Sequence, residues 1–381
     1  MRNAVAAVWA VILFAFLVQA ANGLQSDLIG VEANSAFASA VIGLTFASYY
    51  VGFSLAPLVG RAVIGRIGHV AAVAITALVA AVVILVMPRF VNAPMWSLFR
   101  AVSGFALSLS YVAVESWIND VAPNAVRGRV FSVYMFAQMV GMTLAQVLFW
   151  SGGGIGYVPF MLSAALFVLA AVPVVLSRRS APSGAPPQPL GIGALFRVSP
   201  LGAIATVLSG VSWSILFAFG PVYAKRIGLE AGGVGLFMGL AVAAGGLVQV
   251  PAGWLSDIAG RRLVLAAIFA AGLLACLLGL AAPGRVASLV AAGLAGGFVF
   301  PIYAIAAATV NDGISRETRV AAAAGLVLLF GLGSIFGPLL CGWAMGEVGQ
   351  PGFYSLLAAT MAAGLAACGL VKTAARRGLE S

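Results

Sequence analysis

The stretch Val114–Arg129, VESWINDVAPNAVRGR, holds Glu115, Asp120, Arg127 and Arg129 in a chain where only 8% of residues are Asp, Glu, Lys or Arg. It recurs. At a displacement of 192 residues, Asn119-Asp120 returns as Asn311-Asp312 and Arg127 as Arg319. The same displacement carries Gly68 to Gly260, Gly104 to Gly296, Tyr111 to Tyr303 and Gly141 to Gly333. Glycine matches mean little in a chain with 47 glycines. A shared Asn-Asp, Arg and Tyr in one register mean more: the chain reads as two copies of one unit. Glu115 and Arg129 are not duplicated, since Ala307 and Ala321 stand in their places.

Around these stretches the chain is 62% hydrophobic, with a mean hydropathy of +1.11. A soluble domain carries about 25% charged residues, so this chain cannot cover a water-facing surface. A spanning helix needs about 20 apolar residues. Twelve runs qualify: 4–24, 35–59, 69–88, 95–118, 130–151, 156–176, 200–222, 231–255, 263–282, 286–310, 320–345 and 351–371. They are long and show no strict alternation, which favours helices over a barrel. The predicted fold is an all-α membrane protein with twelve transmembrane helices in two pseudo-symmetric six-helix bundles. The N-terminal bundle covers 1–176 and the C-terminal bundle 200–381. Residues 177–199, rich in Pro, Gly and Ser, form a flexible linker without an apolar face. Because six is even, the copies share one orientation, related by an axis along the membrane normal. The N-terminus also resembles a signal peptide, ending in Val18-Gln19-Ala20; the length of its apolar run and the helix count favour a retained first span.

With both termini on one side, that side holds 15 Lys and Arg and the other 4, leaving Arg100 inside a span. The positive-inside rule makes both termini cytoplasmic, in a multi-pass protein of the cell (plasma or inner) membrane. The net charge of +10 follows from topology and from attraction to anionic headgroups. It is dispersed over short loops, and no nucleic-acid partner is expected.

The loop between spans 8 and 9 reads GWLSDIAGRRL, Gly253–Leu263. It resembles the loop signature of the major facilitator superfamily, G-x-x-x-D-[RK]-x-G-[RK]-[RK]. Gly253, Asp257, Gly260, Arg261 and Arg262 match, and Ile258 departs. The first-half counterpart, RAVIGRIGHV, keeps Arg66 and Gly68 but has Gly65, His69 and Val70 where Asp and bases are usual. VIGLTFASYYVGF, RIGH, ESWIND…RGRVFSVYM and FPIYAIAAATVND together look like the YcaD-like branch of that superfamily. The resemblance implies that the loop motifs hold the two halves together on the cytoplasmic side, closing the inside. Asp257 can face a helix N-terminus there, where unpaired N–H groups favour an anion. The alternative is that these charges only set topology. Asn119, Asp120, Arg127, Asn311, Asp312 and Arg319 are grouped with them as cytoplasmic helix ends.

Span 4 is the most informative helix. Arg100, Gly104, Ser108, Tyr111 and Glu115 fall within about 80° of one another at 100° per residue. An Arg at a helix centre costs about 2.5–3.5 kcal/mol in lipid, so this stripe should face protein or a wet cavity. Arg100 and Gly104 also match the superfamily's R-x-x-x-G pattern, which the resemblance links to proton or substrate coupling. The competing reading lets Arg100 snorkel outward and Glu115 reach Arg66, Arg127 or Arg129. The two are about 22 Å apart along the helix and cannot pair. Further substrate or coupling candidates are Tyr111 and Tyr303, the amides Gln19, Asn22, Gln146 and Gln249, and Trp213. Amides also serve as interhelical bridges, and Trp213 as an apolar contact. Asp27 and Glu32 are placed near an outer mouth.

The sequence assigns no catalytic residue, no metal site and no cofactor. Motifs for nucleotide, metalloprotease or acyl-transfer chemistry are absent, and His69 is the single histidine. Cys276, Cys341 and Cys368 lie in apolar runs as packing residues. The expected function is secondary active transport of a small molecule by alternating access, coupled or not to protons or another ion, by a monomer in the lipid bilayer. The alternative is a non-transporting sensor or scaffold on the same fold.

Overall fold

The computed structural model describes residues 2–122, 127–151, 156–177, 190–281, 284–315 and 318–371; the side chains of 2–7, 127–129 and 320 lie outside that description. The described chain is helical throughout, as a lipid-embedded backbone requires. Its long helices are α1 (Arg2–Ala36), α2 (Ser39–Val86), α3 (Ala93–Val121), α4 (Arg127–Ser151) and α5 (Tyr157–Leu176) in the first half. After a short α6 (Ile192–Val198) come α7 (Pro200–Arg226), α8 (Ala231–Ala259), α9 (Arg261–Ala281), α10 (Arg285–Asn311), α11 (Arg319–Glu347) and α12 (Pro351–Leu370).

Eleven of these helices are long and apolar enough to cross a membrane, against twelve spans in the sequence. The difference lies in α2. Its 48 residues reach about 72 Å at 1.5 Å per residue, more than twice a bilayer core of about 30 Å. Gly68 interrupts it at φ 79°, ψ 163°, so α2 contains spans 2 and 3 joined without a loop. Gly260, its partner in the repeat, has φ 93° and divides α8 from α9. Both positions need a left-handed backbone that glycine adopts without steric cost.

The repeat is also written in helix crossings. A Cβ on Gly104 would strike the carbonyl of Tyr49, and one on Gly296 the carbonyl of Ala241. Tyr49 and Ala241 are themselves 192 residues apart, so α3 crosses α2 as α10 crosses α8. Gly141 meets the Phe16 backbone and Gly333 that of Val207, repeating the α1–α4 crossing as α7–α11. Small residues here allow backbones to approach closely.

Apolar side chains such as Leu58, Val82, Leu247, Val250 and Trp343 point outward, with Leu247 and Val250 each 76% exposed. That surface is covered by lipid in a membrane. The three cysteines are free and buried, in keeping with a packing role.

Two boundaries differ from the sequence reading. The first span does not stop near residue 24, because α1 continues to Ala36 with residues 23–31 buried. The linker is not wholly without apolar contacts. Leu195 of α6 is buried, packing in a cluster with Ala203, Leu326 and Leu329, and the Leu190 N–H donates to the Ala321 carbonyl at 2.6 Å. Residues 178–189 lie outside the described part.

The halves meet closely at the end of the molecule away from the linker, the far end. Gly43 of α2 abuts the Pro338 backbone of α11, Gly342 abuts the Ser39 carbonyl, and Gly30 of α1 packs on Pro221 of α7. Trp150 of α4 packs on Gly232 and Gly235 of α8. The Arg226 Nε donates to Asn34 Oδ1 at 2.8 Å, bridging the two halves.

Candidate substrate cavity and helix junctions

The α3 helix begins where Asn92, in extended conformation, caps it: its side chain accepts the Met95 N–H at 3.0 Å. From that start the polar stripe of span 4 takes two separate positions. Its lower part, Ser108, Tyr111 and Glu115, lines a cavity with a volume of about 300 Å³. Phe53 and Pro57 of α2 share the first-half wall, and Arg319, Ala323 and Val327 of α11 form the opposite wall. The cavity therefore lies between the halves, toward the linker end. Glu115 accepts from the Tyr134 hydroxyl at 3.3 Å, and no ion pair to it exists among the described residues. Tyr111 donates to Gln19 Oε1 at 2.8 Å, so Gln19 orients the tyrosine from behind. Asn119 donates back to the Glu115 carbonyl at 3.0 Å and reaches the cavity rim.

The upper part of the stripe packs instead. Gly104 is pressed on α2. Arg100 is 1% exposed, which removes the snorkelling alternative. Its guanidinium lies 4.3 Å from the ring centroid of Tyr49 and 4.9 Å from that of Phe46, a cation–π environment. Its Nε and Nη1 have no hydrogen-bond partner. Buried donors left unpaired cost free energy, which the two rings offset in part.

Other candidates lie outside the set of residues that line the cavity. Tyr303, on α10 of the second half, sets its ring edge on Phe330 at 5.4 Å. Trp213 packs with Phe300 at 4.5 Å and Phe217 at 4.8 Å, an aromatic cluster within the second half. Asn22 keeps Oδ1, and Gln146 Oε1, without a partner. Gln249 is half-buried on α8.

Asp27, placed by sequence at an outer mouth, is 0% exposed on α1. Neither carboxylate oxygen has a partner in hydrogen-bond geometry, although the Gln146 amide lies beside it. A signal for this was present. Gly23, Asp27 and Gly30 fall within about 60° on one helix face, and small residues mark a face that packs on protein.

At the linker end the loop motifs differ between halves. Arg261, at the start of α9, pairs with Asp257 at the end of α8 and with Asp312 at the end of α10, the latter at 3.2 Å. Its Nη1 also donates to Ser256 Oγ at 2.6 Å. Arg262 donates to the Cys368 and Gly369 carbonyls at 2.6 and 3.1 Å, closing the last turn of α12 as a cation at a helix C-terminus does. All these contacts lie within the second half. In the first half the repeat puts His69 where Arg261 stands and Gly65 where Asp257 stands. His69 turns inward, 3.2 Å from Ser116 Oγ and edge-on to Trp117, and Asp120 stays at the surface. Asn311 is half-buried with Oδ1 unpartnered, and Arg66 is exposed. A Cβ on Gly253 would meet nothing within 4 Å, so nothing in the packing explains that glycine. The side chain of Arg127 lies outside the described residues.

Replacing Arg261 by Ala leaves Asp257 and Asp312 without their shared cation. Pairs this exposed contribute about 0–1 kcal/mol each, so melting should fall by a few degrees at most. Salt screens carboxylate repulsion; added salt should therefore narrow the gap between the variant and the wild type in a thermal melt.

The family model of the Major Facilitator Superfamily matches residues 4–308 and 202–380. The chain belongs to the major facilitator superfamily, a family of membrane transporters, and its fold is that of the family. An uncharacterized MFS-type transporter of Enterobacter sp. strain 638 is 28% identical over 305 residues, covering 78% of each chain. The uncharacterized MFS-type transporter YcaD of Salmonella arizonae is 26% identical over 301 residues, again with 78% of each covered. Among solved structures, the nucleoside transporter NupG superposes with a TM-score of 0.78 at 16% identity, covering 96% of this chain and 100% of that one. A bacterial homolog of the human lysosomal transporter Spinster, inward-facing and unoccupied, superposes with a TM-score of 0.73 at 16% identity, covering 95% of each. At such identities the structural likenesses speak for the fold.

Proposed function

We propose that the chain is a secondary active transporter that carries a small organic molecule across the membrane by alternating access. Bundles 1–176 and 200–381 rock about a site near the midplane, joined by 177–199, with both termini in the cytoplasm. The observation that carries this reading is the cavity between the halves. It presents Tyr111, Glu115 and Arg319, lies toward the linker end, and is shut at the far end by the Gly43–Pro338 and Gly342–Ser39 contacts. With the positive-inside orientation, this is an inward-open state. Glu115 offers a carboxylate and Arg319, on the opposite wall, a guanidinium, while Tyr111 presents an oriented hydroxyl.

A thermal-shift screen of purified protein against metabolites and drugs tests this. A ligand at a hundred times its Kd stabilises the folded state by about 2.7 kcal/mol. We expect a compound that raises the melting temperature of the wild type and loses at least tenfold in affinity on Glu115→Gln or Tyr111→Phe. A hit whose binding both variants leave unchanged would place the substrate elsewhere.

A further inference from the structure

We infer that a second cavity, inside the C-terminal half at the far end, is a binding site for a phosphate-type oxyanion, and that Asn34 of the first half orients one of its arginines. The cavity has a volume of about 520 Å³ and lies among the far ends of α7, α9, α10 and α12. All of its lining belongs to the second half, so it is separate from the cavity between the halves. Arg226, the last residue of α7, and Arg285, the first of α10, both line it. Gln350, just before α12, lines it too, as do the buried Tyr223, Ser288 and Tyr354.

Two guanidinium groups line one cavity, and the chain brings no anion to them. No Asp or Glu is among the lining residues, and the ion pairs of the described residues all belong to Arg261. Glu230 and Glu347, at adjoining helix ends, are exposed and line no part of the cavity. Neutral acceptors hold the arginines instead. Arg226 Nε donates to Asn34 Oδ1 at 2.8 Å, and Arg285 Nη2 donates to the Gly228 carbonyl at 3.1 Å. Each contact uses one nitrogen of a five-donor fork, so donors remain on both. Tyr223 and Ser288 share one hydroxyl contact at 3.4 Å, which leaves one of their two hydrogens for a ligand. Gln350 donates one amide hydrogen to the Arg226 carbonyl at 2.7 Å and keeps the other. Donors thus come from α7, α10 and the start of α12 around one space. A tetrahedral oxyanion accepts from several directions and takes charge-assisted bonds from arginine forks. The N-terminus of α10 adds the favourable end of its dipole. A cation would meet two like charges, and an apolar ligand would strand the donors. Asn34 lies on α1, so the site touches the first half through Arg226. Closing the far end sets the Arg226 fork beside the cavity, and opening it withdraws Asn34. Anion binding and far-end closure therefore favour each other, a consequence that rests on the alternating-access reading.

Free phosphate and an anionic phospholipid headgroup carry the same chemistry, and the test distinguishes them. The full chain is purified in a non-ionic detergent and a chloride buffer. Inorganic phosphate is titrated by calorimetry at constant ionic strength, and retained phosphatidylglycerol is counted by native mass spectrometry. Saturable phosphate binding identifies a free anion; retained phosphatidylglycerol without phosphate binding identifies a headgroup. In either case Arg226→Gln and Arg285→Gln should lose at least tenfold in affinity or retention. Arg285 is exposed, so its substitution disturbs no core contact. Arg89→Gln removes an exposed far-end arginine outside the cavity and should bind as wild type does. Asn34→Ala should weaken binding severalfold, and so should Gly43→Leu, whose side chain would meet the Pro338 backbone across the halves. Binding of neither probe, or equal losses in Arg89→Gln and Arg285→Gln, would overturn the site. Binding unchanged by Asn34→Ala would overturn the orienting role of Asn34. Binding lost in the arginine variants but unchanged by Gly43→Leu would leave the site standing and overturn its link to alternating access.

Discussion

Gly43→Leu is expected to leave the protein folded and to empty its far-end-closed state. The side chain would be built into the Pro338 backbone of α11, and backbone cannot rotate out of the way as a flexible side chain can. Overpacking of this kind costs about 1–3 kcal/mol, occasionally more. Because the contact joins the two halves, the chain has an escape: the halves part at the far end and each half keeps its own core. A penalty of that size moves an open:closed ratio by about 5- to 150-fold, and about 5.5 kcal/mol would invert a 99:1 population completely. Circular dichroism and melting should stay close to wild type while transport falls by an order of magnitude or more.

Gly104→Leu should do the opposite. The same clash, here with the Tyr49 carbonyl, lies inside the first half. Gly52 packs reciprocally on the Ala101 backbone, so α2 and α3 touch backbone to backbone over about one turn. No rocking of the halves relieves a Leu at that crossing. The cost falls on folding, and we expect loss of monodisperse protein in detergent, or a melting temperature lowered well beyond that of Gly43→Leu. Gly253→Ala, where a Cβ meets nothing within 4 Å, is the matched control. It should be neutral or gain up to about 1 kcal/mol from helix propensity. If all three variants lose stability alike, the division between inter-half and intra-half crossings is wrong.

The Gly104 position was legible in the sequence because it is duplicated. Gly104 with Gly296 and Gly68 with Gly260 were paired by their displacement alone, and each pair has one structural task. The span count was legible because lipid demands long apolar runs. The burial of Asp27 was missed for the complementary reason. Asn22, Gln25, Ser26 and Asp27 make the second half of α1 polar, so a hydropathy window ends the span near residue 24. Yet α1 is enclosed by α4, α5 and α7, and a helix solvated by protein need not be apolar. The fate of Arg100 was half legible: its charge predicted a protein-facing stripe, but the rings of Phe46 and Tyr49 come from another helix. Leu190 and Leu195 escaped notice because two apolar residues in a Pro- and Gly-rich stretch carry no periodicity, and only the groove between α7 and α11 gives them a place.

Reciprocal accessibility tests the central claim most directly. Ala323→Cys places a thiol in the cavity, and Ser39→Cys places one in the far-end seam under Gly342, each in a background free of native cysteines. A membrane-impermeant maleimide is applied from each side of oriented vesicles, with and without Gly43→Leu. Alternating access predicts that Ala323→Cys reacts from the linker side and Ser39→Cys from the other, and that Gly43→Leu slows the first while speeding the second. Rates at the two sites that rise together, or a cavity thiol that reacts equally from both sides, would contradict it.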